Sequence, residues 1–136
     1  MTLKELSQLY HLKRELKQEQ ERLSELESSS FLKAGGWTNM SGGGGARKDS
    51  VEESYVLSKE KIEKTIAKKI EMIASEQLRL ETYIASIPDS LTRQIFTARF
   101  VDGLSWLMVA RRIGGYNTED SVKKICYRAI KKTEGD

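Results

Sequence analysis

Residues 117–132, NTEDSVKKICYRAIKK, carry the residue types best suited to chemistry in this 136-residue chain. If they form a helix, Val122, Ile125, Ala129 and Ile130 fall on one side. Lys123, Lys124, Tyr127, Arg128, Lys131 and Lys132 are left on the other. Cationic side chains spaced in this way make phosphate contacts. A basic helix held rigidly on a small core is the usual device for entering the major groove of duplex DNA. Glu119 and Asp120 open the segment and suit the positive end of a helix, with Asn117 or Thr118 as its cap.

The charge distribution points to the same end of the chain. Residues 88–136 hold nine Lys/Arg and six Asp/Glu, a surplus equal to the whole-chain net charge of +3. Residues 1–87 hold fourteen of each sign and balance to zero. An excess confined to one segment marks a site more sharply than a basic overall composition does. A surplus this small implies weak or partner-assisted attraction to a polyanion.

Other chemistries lack their residues. The chain has one Cys, one His and one Pro. Cys126 alone forms no intrachain disulfide and no cysteine-based metal site. His11 lies in a charged helical stretch and reads as a surface residue. No Ser/His/Asp set, no paired carboxylates and no metal-spaced His/Cys cluster can be assembled, so an enzyme is not expected. Gly42 to Gly45 followed by Ala46-Arg47-Lys48 is not a phosphate loop, which needs Gly, four residues, then Gly-Lys-Ser/Thr between a strand and a helix. No apolar run approaches the ~18 residues of a membrane span, and the start of the chain is too acidic and too periodic for a signal peptide, so no membrane association and a cytoplasmic setting are expected.

The elements that would position the basic helix are all helical. Pro88 is a boundary, with Asp89 or Ser90 capping the next helix. That helix has Leu91, Ile95, Phe96 and Phe100 as its core face, Arg93 and Arg99 on its flanks, and ends at Asp102-Gly103. Ser105 caps a short helix with Trp106, Val109, Ala110 and Ile113 on one face and Arg111 and Arg112 at its end, where one could also reach a phosphate. Trp106 is expected in the core. Gly114-Gly115 permits a tight turn, Tyr116 is expected to pack across it, and Cys126 is expected to be half-buried. This is the rhythm of a helix-turn-helix over residues 88–136. Its expected DNA-contacting residues are Arg111, Arg112, Thr118, Glu119, Asp120, Lys123, Lys124, Tyr127, Arg128 and Lys131.

Upstream, residues 1–87 read as an antiparallel helical hairpin. Leu9, Leu12, Leu16, Leu23 and Leu26 place an a/d seam on a helix over 3–27, with Glu19 in it. Ile66, Ile70, Ile73, Leu80, Ile84 and Ile87 do the same over 50–87, with Gln77 in the seam. At ~1.5 Å per residue the helices span roughly 38 and 57 Å. The surplus stripe (Ile62, Ile66, Ile70 or Ile73) either props up the C-terminal head or forms a coiled-coil homodimer. The Gly-rich segment 28–49 reads as a flexible loop. Its Phe31, Leu32, Trp37 and Met40 either fold back, lie in a disordered segment or form a docking patch for a partner.

With those residues in view, positions 88–133 resemble the C-terminal promoter-binding domain of sigma factors. RFVDGLSWLMVARRIG and TEDSVKKICYRAIKK carry the likeness. Nearly the whole chain is similar to a family of small Gram-positive phage and prophage proteins, themselves similar to the ArpU and RinA classes of late-gene regulators. By position, Glu119, Asp120, Lys123 and Lys124 correspond to the sigma base- and phosphate-contacting residues, although sigma domains commonly carry a basic residue where Glu119 stands. No counterpart of the DNA-melting sigma domain is present. The resemblance implies a non-enzymatic, cofactor-free regulator of phage or prophage transcription that binds double-stranded DNA and acts with host RNA polymerase. Two alternatives share the helical pattern: a small terminase subunit for phage DNA packaging, assembled as a ring, and a protein-interaction adaptor whose sigma-like head no longer binds DNA.

Overall fold

The computed structural model describes residues 1–35 and 45–134, and every regular element among them is helical. In chain order these are α1 (Leu3–Leu6), α2 (Gln8–Gly35), α3 (Gly45–Ala85), α4 (Ser90–Phe96), which runs on into a π-helical turn (Thr97–Val101), α5 (Trp106–Ile113) and α6 (Glu119–Glu134). By their contacts they form two compact units, Met1–Lys13 with Met72–Asp136, and Arg14–Glu71.

Local chemistry sets the boundaries of the first unit. The Thr2 side chain accepts from the Glu5 amide while the Glu5 carboxylate accepts from the Thr2 amide, a reciprocal cap that opens α1. Thr2 also holds the Glu5 carboxyl below its usual range. The helix expected over 3–27 is interrupted at Ser7, which separates α1 from α2. α3 stops at Ala85, short of the expected 87, because a residue before proline is pushed out of the helical region. The amides of Ser86 and Ile87 donate instead to Tyr83 and Ile84, three residues back. Of Asp89 and Ser90, it is Asp89 that caps α4. Its carboxylate accepts from the Thr92 hydroxyl at 2.6 Å and amide at 3.0 Å, and these bonds lower its pKa.

The core of this unit reaches well beyond residues 88–136. Ile95, Phe96, Phe100, Trp106, Val109, Val122, Cys126 and Ile130 are buried as their periodicity implies, and they share one cluster with Leu6, Leu9, Leu80 and Ile84. Leu91, Ile113, Ile125 and Ala129 pack partly against it. Phe96 and Phe100 meet edge to face, with centroids 5.4 Å apart. The π-helical turn inserts one residue before Asp102, whose amide donates five residues back to Thr97. Basic side chains then pin the backbone that follows: Lys13 donates to the Val101 carbonyl, and Arg99 to that of Leu104. Gly103, between them, has φ +71°, the left-handed conformation expected where the helix ends.

The second unit is built differently. Glu15 pairs with Lys69, and Glu27 with Lys59 at 3.7 Å, so partners on one segment descend as those on the other ascend. No described residue from Arg14 to Glu71 is fully buried. The seam residues Leu16, Leu23, Leu26, Ile62 and Ile66 are half-buried, and Ile70 is 51% exposed. Ile73, which the sequence groups with them, packs instead on the core of the first unit. Helix also occupies 28–35 and 45–49, positions the composition assigns to a loop. Elongating a formed helix through Phe31, Leu32, Lys33 and Ala34 is cheaper than ending it, until paired glycines begin at Gly35. The alternatives for Phe31, Leu32, Trp37 and Met40 fall outside the described residues and side chains.

Because Leu9 is fully buried in the shared core, Leu9→Ala is expected to destabilise the protein by about 2–5 kcal/mol. Chemical denaturation followed by far-ultraviolet circular dichroism measures this. Unchanged stability would mean that residues 88–136 hold their core without the start of the chain.

Candidate nucleic-acid interface

Two backbone devices fix where α6 begins. Gly114 (φ +74°, ψ −159°) and Gly115 (φ +66°) turn the chain after α5 in conformations that side-chain-bearing residues rarely adopt. The Asn117 side-chain amide then donates to the Gly114 carbonyl at 3.1 Å. Thr118 caps the helix: its hydroxyl accepts from the Ser121 amide at 3.1 Å, while the Ser121 hydroxyl accepts from the Thr118 amide at 2.8 Å. Ser121 thus does what Glu does in the commoner form of this reciprocal cap. Sequence reading missed it, although the Thr-x-x-Ser spacing was the available signal.

One side of α6 is anchored. Val122 and Cys126 are fully buried, and Ile130 is nearly so. Cys126 is more deeply placed than the half-burial expected, and burial pushes its pKa up to about 12. On the opposite side Lys124, Tyr127, Arg128 and Lys131 are exposed together, with Asp120 and Glu119 exposed in the first turn. Among the described residues, Lys124, Arg128 and Lys131 have no ion-pair partner. Lys123 is half-buried, so it borders this face rather than forming its centre.

The remaining expected contacts separate. Arg111 is exposed at the end of α5 without an ion-pair partner among the described residues. Arg112 is exposed too, but its guanidinium is paired with the Asp102 carboxylate, a partner ten residues away that no local pattern announces. Tyr116 does not pack across the turn. It is fully exposed, because with Gly114 and Gly115 both at positive φ the chain leaves the core before reaching it. Leu107 and Met108, on the outer side of α5, are also exposed.

Tyr127 is held from behind. Its ring lies 6.0 Å from that of Trp106, tilted by 58°. Trp106 also lies under the Arg99 guanidinium, 4.6 Å from its ring centroid, an attractive placement of cation over aromatic face. Trp106 is only 8% exposed, so its role is the expected core anchor rather than base stacking.

A groove of about 490 Å³ in the same unit is lined by the end of α3, by α4 and by the end of α5, with no residue of α6. Among the described residues no group of three His, Cys, Asp or Glu could hold a metal ion, and no helix is long and apolar enough to cross a membrane. No protein family, curated protein or solved structure matches the chain.

Two outcomes follow from this geometry. Trp106→Ala removes a large buried ring that also backs Tyr127, and is expected to cost on the order of 3–5 kcal/mol, read as a fall in melting temperature. The Cys126 proton is bound more tightly in the folded state than in the unfolded one. Its stabilisation is therefore complete below the ordinary thiol pKa of 9.0 and lost as pH rises from there to about 12. The stability difference between the native protein and Cys126→Ala should shrink over that range by ~1.4 kcal/mol per pH unit. A difference that is flat with pH would place the thiol in water.

Proposed function

We propose that α5 and α6 form a helix-turn-helix, that α6 is its reading helix, and that the protein is a non-enzymatic, sequence-specific DNA-binding regulator. The observation that carries this is the cationic set Lys124, Arg128 and Lys131, without ion-pair partners among the described residues, on the solvent side of a helix whose other side is buried. Cations with no ion-pair partner among the described residues, on the solvent side of an anchored helix, suit a polyanionic groove better than a small ligand, which needs a concavity.

The order of charges along α6 supports an orientation. Glu119 and Asp120 would repel a phosphate, so they are poor backbone contacts. At base edges a carboxylate accepts from the amino group of cytosine. The N-terminal half of α6 would then face the bases, with Thr118 hydroxyl and Lys123 at its border. Arg128 and Lys131 would meet the phosphates, and Arg111 would do the same from the end of α5. Arg112 contributes only if a phosphate displaces Asp102.

The sigma-like pattern of residues 88–133 supports a setting in phage or prophage transcription with host RNA polymerase. The modest surplus of positive charge agrees, since a protein with few phosphate contacts gains from a second anchor. In this reading residues upstream of Pro88 form an antiparallel hairpin, which the reversed order of the Glu15–Lys69 and Glu27–Lys59 pairs favours.

Fluorescence anisotropy with duplex DNA over a salt series tests the reading. Arg128→Ala/Lys131→Ala is expected to weaken binding of all sequences and to lower the salt slope by roughly two, about one per lost phosphate contact, with helicity unchanged. Asp120→Asn is expected to alter preference at one base pair rather than affinity at large. A double variant with native affinity and native salt slope would sink the proposed docking.

A further inference from the structure

The described residues of the unit Arg14–Glu71 leave an apolar seam incompletely covered. The unit has no fully buried described residue. Its inter-segment ion pairs, Glu15–Lys69 and Glu27–Lys59, are partly exposed, and such pairs contribute about 0–1 kcal/mol each. Ile70, Val56 and Leu57 are about half or more exposed beside a seam that is itself half-buried.

Two stretches within it carry opposite net charge. Residues 15–27 hold five Glu against Lys17 and Arg22, while residues 59–69 hold five Lys against Glu60 and Glu63. The two segments are therefore equal and opposite, −3 and +3. The pairs between the two segments use only the ends of this pattern. Glu21 and Glu25 on one segment, and Lys61, Lys64 and Lys68 on the other, are exposed and have no ion-pair partner among the described residues.

We propose that this unit docks on the same unit of a second copy, with residues 15–27 of each chain against residues 59–69 of the other. A surface divided into equal and opposite halves complements itself under a two-fold rotation, which brings each half onto its opposite in the partner. An acidic or a basic partner of another kind would satisfy one half and be repelled by the other, and a nucleic acid would be repelled by residues 15–27. The exposed Ile70, Val56 and Leu57, with the part-buried Leu16, Leu23, Leu26, Ile62 and Ile66, supply the buried area, and the flanking charges fix the orientation, as charges beside an apolar seam do in helical assemblies. The inference stands on Arg14–Glu71 alone, so its failure leaves the reading of α6 untouched. A dimer would join two α6 helices in one particle and double a small number of phosphate contacts.

Light scattering on the full chain at micromolar concentration gives the first test, with a mass of twice 15.5 kDa expected. Two charge-reversal variants give the second. Glu21→Lys/Glu25→Lys makes both contacts basic against basic, and Lys64→Glu/Lys68→Glu makes both acidic against acidic. Each alone is expected to raise the dimer dissociation constant by roughly tenfold or more. Mixed together they restore both contacts at once, and a heterodimer of native affinity is expected. A native mass of 15.5 kDa overturns the proposal, as does a ring of many subunits. So does a mixture of two helical variants that stays monomeric. If a variant fails to fold, the mass of the native chain still decides.

Discussion

What α6 can present to a partner is settled by what its other side buries. Val122, Cys126 and Ile130 lie in the core with Ile95, Phe96, Val109 and Trp106, and burial of each such aliphatic side chain is worth about 1.5–3 kcal/mol. Turning α6 by one residue, about 100°, would draw Lys123 and Tyr127 inward and expose Val122 and Cys126. The exposed row Lys124, Tyr127, Arg128 and Lys131 is therefore fixed by the core as firmly as the core itself. The turn at Gly114-Gly115 sets the start of the helix, and the Thr118–Ser121 cap sets its first residues.

The parts legible in the sequence were those specified locally. Gly103 ends a helix because it alone there adopts φ +71° without strain, and Ser105 caps the next by accepting from the Met108 amide. The apolar spacing of Ile95, Phe96, Val109, Val122 and Ile130 placed the core residues of the C-terminal helices. What escaped depends on partners distant in sequence. Leu6 and Leu9 join the same core as Leu80 and Ile84, and heptad spacing says only that such residues seek an apolar face, not which one. The pairing of Arg112 with Asp102 depends on the loop between α4 and α5, and that loop depends on a π-helical turn that no residue pattern marks. The exposure of Tyr116 follows from two consecutive positive-φ glycines, whose combined direction composition does not give.

The two units divide the work by their construction. The first spends its apolar residues on a closed core and leaves outside a row of cations without ion-pair partners among the described residues. The second has an apolar seam that is half-buried among its described residues, with an acidic stretch at 15–27 and a basic one at 59–69. In the proposed function the first meets DNA and the second meets its own kind, so a protein with few phosphate contacts per chain would gain a second set without a larger domain.

The central claim is that the exposed side of α6 reads duplex DNA. Selection from a pool of random duplexes by the purified full-length chain at low salt, followed by sequencing of the bound fraction, tests it most directly. The account predicts enrichment of a short common motif, whose preferred bases at one position change when Asp120 or Lys124 is replaced. A bound fraction with the composition of the starting pool, or a motif indifferent to both replacements, would contradict it.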